Sequence, residues 1–123
     1  MQADTPKNGS DRRTIKRKHV AYYTRMFDAK SDVQLGNLGD ISLGGVMLIS
    51  AIPFPPDTTF QLKLELSDDI ADKPFMVFEA LSLWSHPDLD PELNNTGFRI
   101  TKIAPEDLEI IRNILQAYSI RDN

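Results

Sequence analysis

The sequence contains no cysteine and only two histidines among its 123 residues. The absence of cysteine excludes disulfides, thiolate metal ligands and cysteine nucleophiles. The histidines, His19 and His86, do not have the H-x-H or H-x-x-x-H spacing of a histidine metal site. Because the chain also shows no recognisable set of nucleophile, base and orienting group, the sequence predicts a protein that is not an enzyme.

Long apolar runs are also absent. No stretch approaches the roughly 20 apolar residues of a membrane-spanning helix, and residues 1–11 are polar where a signal peptide would need an apolar run. The sequence therefore predicts no membrane span and a cytoplasmic location. A length of 123 residues with 41% hydrophobic residues is typical of one globular domain with a single core.

The net charge of −4 hides a strong asymmetry along the chain. Residues 1–30 carry a net charge of +5, and the remainder carries −9. A basic segment on an acidic body predicts that the segment meets an anion, which is either the body itself or a ligand rich in phosphate.

The polarity of the chain predicts a short tail followed by one folded domain. Residues 1–10 have almost no apolar side chains, so we expect a flexible N-terminal tail. Residues 11–123 form the predicted domain, which divides into a basic arm at 11–18, a β-barrel at 19–103 and a C-terminal helix at 105–120.

The periodicity of the apolar residues predicts a mainly β fold. Alternating or continuous apolar runs indicate six strands, near residues 20–26, 33–42, 46–49, 60–66, 75–84 and 97–101. The last segment changes to a helical period, with Leu108, Ile111 and Leu115 on one side and Pro105 in the first turn. The predicted fold is a six-stranded antiparallel β-barrel with a C-terminal α-helix over its open end or one face.

Three arginines in the predicted arm are candidate phosphate ligands. Arg13 and Arg17 have the spacing R-x-x-x-R, and Arg12 precedes them. A guanidinium group can form two parallel hydrogen bonds to phosphate oxygens or to O6 and N7 of guanine. The arm therefore suits a guanine phosphodiester.

A second motif, Asp40-Ile41-Ser42-Leu43-Gly44-Gly45, follows between the second and third strands. In a strand, Asp40 and Ser42 would project from the same face, and a carboxylate there can accept hydrogen bonds from the N–H groups of guanine. Gly44 and Gly45 allow a positive φ and a close approach of the backbone to a flat ligand.

The two motifs together, R-x-x-x-R and then D/N-x-S-x-x-G, resemble those of the PilZ domain, a bacterial receptor module for cyclic di-GMP. The resemblance implies a six-stranded barrel with a tryptophan in the fifth strand, a sixth strand of the form G-aromatic-x-hydrophobic and often a C-terminal helix. Trp84, residues 97–100 and the helix from Pro105 fit that order. The matching site positions are Arg13, Arg17, Asp40, Ser42 and Gly45.

The resemblance also implies a function. We expect a stand-alone receptor without catalytic activity or cofactor, which binds cyclic di-GMP, changes conformation and signals to an unidentified downstream protein. In proteins similar to PilZ domains, a basic residue just before R-x-x-x-R goes with a stacked pair of ligand molecules, so Arg12 predicts binding of a dinucleotide dimer. Trp84 has two interpretations, a core residue of its strand or a stacking contact for a base.

An alternative function is a small β-barrel that binds RNA or single-stranded DNA through the basic arm and exposed aromatic residues. The acidic body disfavours it, because a polynucleotide would be repelled outside the arm.

Overall fold

The computed structural model describes residues 24–119, which form six strands and one helix. The elements are β1 (Arg25–Asp28), β2 (Gln34–Ile41), β3 (Gly45–Ser50), β4 (Thr59–Glu65), β5 (Phe75–Pro87), β6 (Asn94–Lys102) and α1 (Pro105–Ser119). The predicted mainly β architecture with one C-terminal helix is therefore confirmed.

The strands close into a barrel in the order β1-β2-β3-β6-β5-β4, and every neighbouring pair is antiparallel. Strand β6 lies between β3 and β5, and β1 pairs with β4 to complete the ring. Because the ring closes, none of the six strands is left as an exposed edge that could pair with another chain.

Inward-facing side chains of the six strands and of α1 form a single core. Alternation along β3 and β4 produces this arrangement, since every second residue points inside. The buried apolar strand residues are Met26, Leu38, Val46, Leu48, Leu62, Leu64, Met76, Phe78, Ala80 and Phe98.

The proline-rich connection between β3 and β4 contributes a buried aromatic side chain that the sequence pattern did not predict. Phe54 is only 7% exposed and makes edge-to-face contacts with Phe60 at 5.6 Å and Phe98 at 6.0 Å between ring centroids. The connection is held by Ser82, whose hydroxyl donates to the carbonyl of Pro55 at 2.6 Å. These contacts explain why a polar residue is fully buried in β5.

Helix α1 packs its apolar side into this same core. Ile110, Ile111 and Ile114 are buried, and Leu108 and Leu115 are partly buried against them. The helix begins at Pro105, as predicted, and its first turn carries the acidic residues Glu106 and Asp107. Asp107 is itself buried and accepts a hydrogen bond from the Lys73 ammonium group in the β4–β5 loop, which ties the helix to the barrel.

Several strand boundaries differ from the predicted ones. Strand β2 is continuous through its glycines and ends at Ile41, so Ser42 lies beyond it. Strand β5 continues to Pro87, because its last residues pair with the start of β6. The beginning of the predicted first strand, near Val20 and Tyr22, lies outside the described residues, as do the tail and the arm.

Candidate functional site

Asp40 faces outward because of an irregularity in β2. The pairing of β2 with β3 shifts between Leu38, which lies opposite Leu48, and Asp40, which lies opposite Met47. Leu38 points into the core, and without the shift the residue two positions later would also point inside. The bulge therefore turns Asp40 to the outer face, where its Oδ1 accepts a hydrogen bond from the amide of Ile41 at 2.9 Å.

Ser42 occupies the turn between β2 and β3. Its amide donates to the Gly45 carbonyl at 2.8 Å, and its hydroxyl lies 3.4 Å from the same oxygen. The expectation that Ser42 lies in the same strand as Asp40 is therefore wrong, because β2 ends at Ile41. Both side chains are nevertheless exposed, at the end of one hairpin.

The two glycines of the motif have different surroundings. A Cβ atom at Gly45 would lie 2.3 Å from the Phe98 carbonyl oxygen of β6, whereas a Cβ atom at Gly44 would meet nothing within 4 Å. Neither glycine has the positive φ that the sequence allows. The close approach at Gly45 is to the neighbouring strand, so this residue is needed for barrel packing.

Trp84 lies on the outside of the barrel and is 38% exposed. Its indole ring covers Gly97 of β6, since a Cβ atom there would lie only 2.4 Å from Cε2 of the ring. The indole ring also stacks at a tilt on the imidazole ring of His86, two residues further along β5. The ring centroids are 5.1 Å apart, and the angle between the ring planes is 30°. The interpretation of Trp84 as a core residue is thus wrong. Its ring is instead an accessible aromatic surface on the outside of the barrel.

The register of four strands brings Asp40 and Trp84 into one row. Asp40 of β2 pairs with Met47 of β3, Met47 pairs with Gly97 of β6, and Gly97 pairs with Trp84 of β5. Directly paired residues face the same side of a sheet, so the carboxylate and the indole share one outer face. Three strand spacings separate them, which is about 14 Å.

Further residues of this face were not predicted from the sequence to belong to the site. Met47, Gly97 and His86 lie between or beside the predicted positions, and only knowledge of the strand register could have found them. We call the outer surface of β2, β3, β6 and β5 around this row the ligand face. The predicted arginines of the arm, Arg12, Arg13 and Arg17, lie outside the described residues.

Two features are absent from residues 24–119, a cluster of metal-ligating side chains and a membrane-spanning helix. No three His, Asp or Glu side chains there come close enough together to hold a metal ion. No helix in the same part of the chain is long and apolar enough to cross a membrane.

Solved structures share this fold at low sequence identity. The Bacillus subtilis inhibitor of motility MotI/DgrA matches with a TM-score of 0.64 and 14% identity, over 81% of this chain and 48% of that one. K. pneumonia MrkH in its apo state matches with a TM-score of 0.61 and 14% identity, over 79% and 46% of the two chains. The chain thus spans about half the length of these proteins.

A third solved structure is a Xanthomonas campestris protein described as a tetrameric PilZ domain that assembles through a helical bundle. It matches with a TM-score of 0.53 and 17% identity, over 88% of this chain and 58% of that one. No curated protein sequence matches the chain. The family model of the PilZ domain matches residues 11–117, a span that includes all six strands and most of α1. The chain therefore belongs to the PilZ domain family.

Proposed function

We propose that this protein is a receptor for cyclic di-GMP, with neither catalytic activity nor a cofactor. The observation that carries the proposal is the placement of Asp40 and Trp84 on one outer face of the barrel, joined by strand register. The R-x-x-x-R segment precedes β1 in the sequence, and membership of the PilZ family supports the same ligand.

The predicted site residues have matching groups on a guanine dinucleotide. The Asp40 carboxylate accepts from the ring and exocyclic N–H groups of guanine, and the Trp84 indole provides a surface for base stacking. Arg13 and Arg17 supply the guanidinium groups for the two phosphates. Ser42 and Gly45 complete the site at the end of the β2–β3 hairpin.

Arg12 leads us to propose two ligand molecules in each site. A stacked pair of cyclic di-GMP molecules doubles the phosphate charge in one place, and a further cation lowers the resulting repulsion. A guanidinium group can also stack on an exposed guanine. Arg12 supplies both the additional positive charge and a guanidinium group that can stack on guanine.

The signal in this proposal is a change of surface. An arm that carries three arginines and is held against the ligand face by the dinucleotide presents a different surface to a downstream protein. The similar B. subtilis protein is described as an inhibitor of motility. We propose an adaptor role here, in which the changed surface binds a second protein.

Isothermal titration calorimetry with cyclic di-GMP tests the proposal. The native protein should bind, and Arg13→Ala or Arg17→Ala should each weaken binding by about 1.5–3 kcal/mol, since a charge-assisted hydrogen bond is lost. Because the arm has no apolar pattern, the melting temperature of either variant without ligand should stay close to the native value. If both variants bound cyclic di-GMP with the native affinity, the assignment of the arm to the binding site would be wrong.

The exposed aromatic pair Trp84 and His86 is the observation that favours the alternative of single-stranded nucleic acid as ligand. An oligonucleotide without secondary structure, added at moderate salt, distinguishes the two functions. The proposal expects no displacement of bound cyclic di-GMP, because the rest of the chain is acidic. Tighter binding of the oligonucleotide than of cyclic di-GMP would overturn it.

A further inference from the structure

Most basic side chains in the described part of the chain have an acidic partner. Residues 24–119 contain seven lysines and arginines, and four of these form ion pairs there, namely Arg25–Glu65, Lys63–Asp32, Lys73–Asp107 and Arg112–Glu109. Of the other three, Lys30 lies in the turn after β1, and Lys102 adds to the lowering of the pKa of Glu79 that a hydrogen bond from Thr101 chiefly causes. Arg99 remains as an exposed guanidinium without an ion pair in this part of the chain.

Arg99 lies on the ligand face. Its neighbours in β6, Phe98 and Ile100, face the core, so Arg99 points to the outside. It stands two residues from Gly97, over which the Trp84 ring is stacked, and two residues along a strand span about 7 Å. Trp84 is therefore its diagonal neighbour on β5.

The cross-strand partner of Arg99 on β3 leaves space beside it. That partner is Gly45, the last residue of the D-x-S-x-x-G motif, and it has no side chain to cover the arginine. The long arginine side chain can thus reach over the motif turn on one side and toward the indole on the other. A guanidinium without an ion pair among residues 24–119 has its N–H donors available for a ligand.

We infer that Arg99 is a ligand-binding residue that anchors a phosphate of the dinucleotide from the barrel itself. This inference rests on the proposed function. Its position corresponds to the unspecified residue of the G-aromatic-x-hydrophobic pattern, so the motif does not demand an arginine there. Arg99 supplies a cation on a rigid strand, whereas Arg13 and Arg17 belong to the segment before the barrel.

Calorimetry on four proteins tests the inference, with cyclic di-GMP as the probe. The native chain is compared with Arg99→Ala, with Arg99→Lys and with Lys102→Ala, which removes the same charge from the same strand three residues away. Arg99→Ala should weaken binding about tenfold to a hundredfold, because a charge-assisted contact to phosphate is lost. Arg99→Lys should restore part of the loss, since an ammonium keeps the charge but not the bidentate fork.

Two controls separate this effect from a structural one. Without ligand, Arg99→Ala should melt at the native temperature, because the side chain is exposed and has no ion pair within residues 24–119. In phosphorus NMR spectra, the resonances of bound cyclic di-GMP should differ between the native protein and Arg99→Lys, which a contact to the base alone would not produce.

The outcomes for the inference and for the proposed function are distinct. Native binding with an unchanged affinity in Arg99→Ala would overturn the inference and leave the receptor function standing. If Arg99→Ala and Lys102→Ala lost the same affinity for cyclic di-GMP, the effect of Arg99 would be one of general charge. That result would also overturn the inference. Absence of binding by the native chain would overturn the receptor function, and the inference with it.

Discussion

The indole ring of Trp84 lies directly over the backbone of Gly97, in space that any side chain at position 97 would need. The nearest ring atoms would be only 2.4–2.7 Å from a Cβ atom there. This contact holds the ring against the outside of the barrel, where it also stacks on His86 and stays partly exposed. The glycine at position 97 therefore determines where the Trp84 ring lies on the ligand face.

Replacing Gly97 by alanine should move the Trp84 ring. The clash involves a side chain and not the backbone, so the ring should tilt away with little loss of stability. We expect a shift in tryptophan emission, which reports only this residue because the chain has one tryptophan. Affinity for cyclic di-GMP should fall by part of the about 1–3 kcal/mol that a base–aromatic stack contributes. Unaltered emission together with native affinity would contradict the role of the contact.

Replacement by alanine should destabilise the fold at Gly45 but not at Gly44, the other glycine of the motif. Gly45→Ala places a methyl group 2.3 Å from the backbone oxygen of Phe98, which cannot move without disturbing β6, so we expect a loss of about 1–3 kcal/mol. Gly44→Ala, the matched control, points into open space and should stay within about 0.5 kcal/mol of native. Urea unfolding of the two variants measures the difference. Equal stability would show that β3 and β6 are not packed so closely.

Asp40 should select guanine over adenine. Cyclic di-AMP lacks the pair of N–H donors that a carboxylate accepts together, so the native protein should prefer cyclic di-GMP. Asp40→Ala should weaken cyclic di-GMP binding about tenfold or more and lower this preference, with little change in melting temperature, because the residue is exposed. Competition titrations with both dinucleotides measure it. Comparable native affinities for the two would refute the role of Asp40.

Arg12 should determine the number of ligands bound. At saturation, titration of the native protein with cyclic di-GMP should reach two molecules per chain. Arg12→Leu should lower this number toward one and leave the first binding step largely intact, because Arg13 and Arg17 remain. A native endpoint of one molecule would contradict the assignment of Arg12 but not the choice of ligand.

The ion pair between β1 and β4 should make stability depend on pH. Arg25 Nε donates to Glu65 Oε1 at 3.0 Å, and this hydrogen bond holds the pKa of Glu65 below its ordinary value of 4.5. A carboxyl whose pKa is lower in the folded state stabilises the fold at neutral pH, and this stabilisation is lost as the pH falls below 4.5 and through the folded value.

Thermal unfolding between neutral and acidic pH checks this dependence. Glu65→Gln should be less stable than the native protein at pH 7 and should lose less stability on acidification. Glu92→Gln in the exposed turn before β6 is a control without an ion pair in the described residues. If Glu65→Gln and Glu92→Gln follow the same pH profile, the Arg25–Glu65 pair contributes nothing.

The periodicity of the sequence was sufficient for the architecture. The alternation of Phe60, Leu62 and Leu64 shows which side of β4 is buried, and the change of period after Pro105 marks the helix. Both signals are local, because a strand and a helix have periods that neighbouring residues reveal. The burial of Phe54 has no such local signal, because it depends on where the proline-rich connection crosses the barrel.

By itself, the sequence determined the number and type of elements within residues 24–119, the charge asymmetry and the motif residues Asp40, Ser42 and Gly45. Only the tertiary structure decided which of them share a surface. The register shift between Leu38 and Asp40 turns Asp40 outward, and the order β2-β3-β6-β5 brings it into line with Trp84, 44 positions later in the chain. Register and strand order arise from pairing between distant segments, and each one-residue shift exchanges the inner and outer faces. For this reason Gly97 and Arg99 had no signal in the sequence that marked them as part of the ligand face, although both lie beside its predicted residues in space.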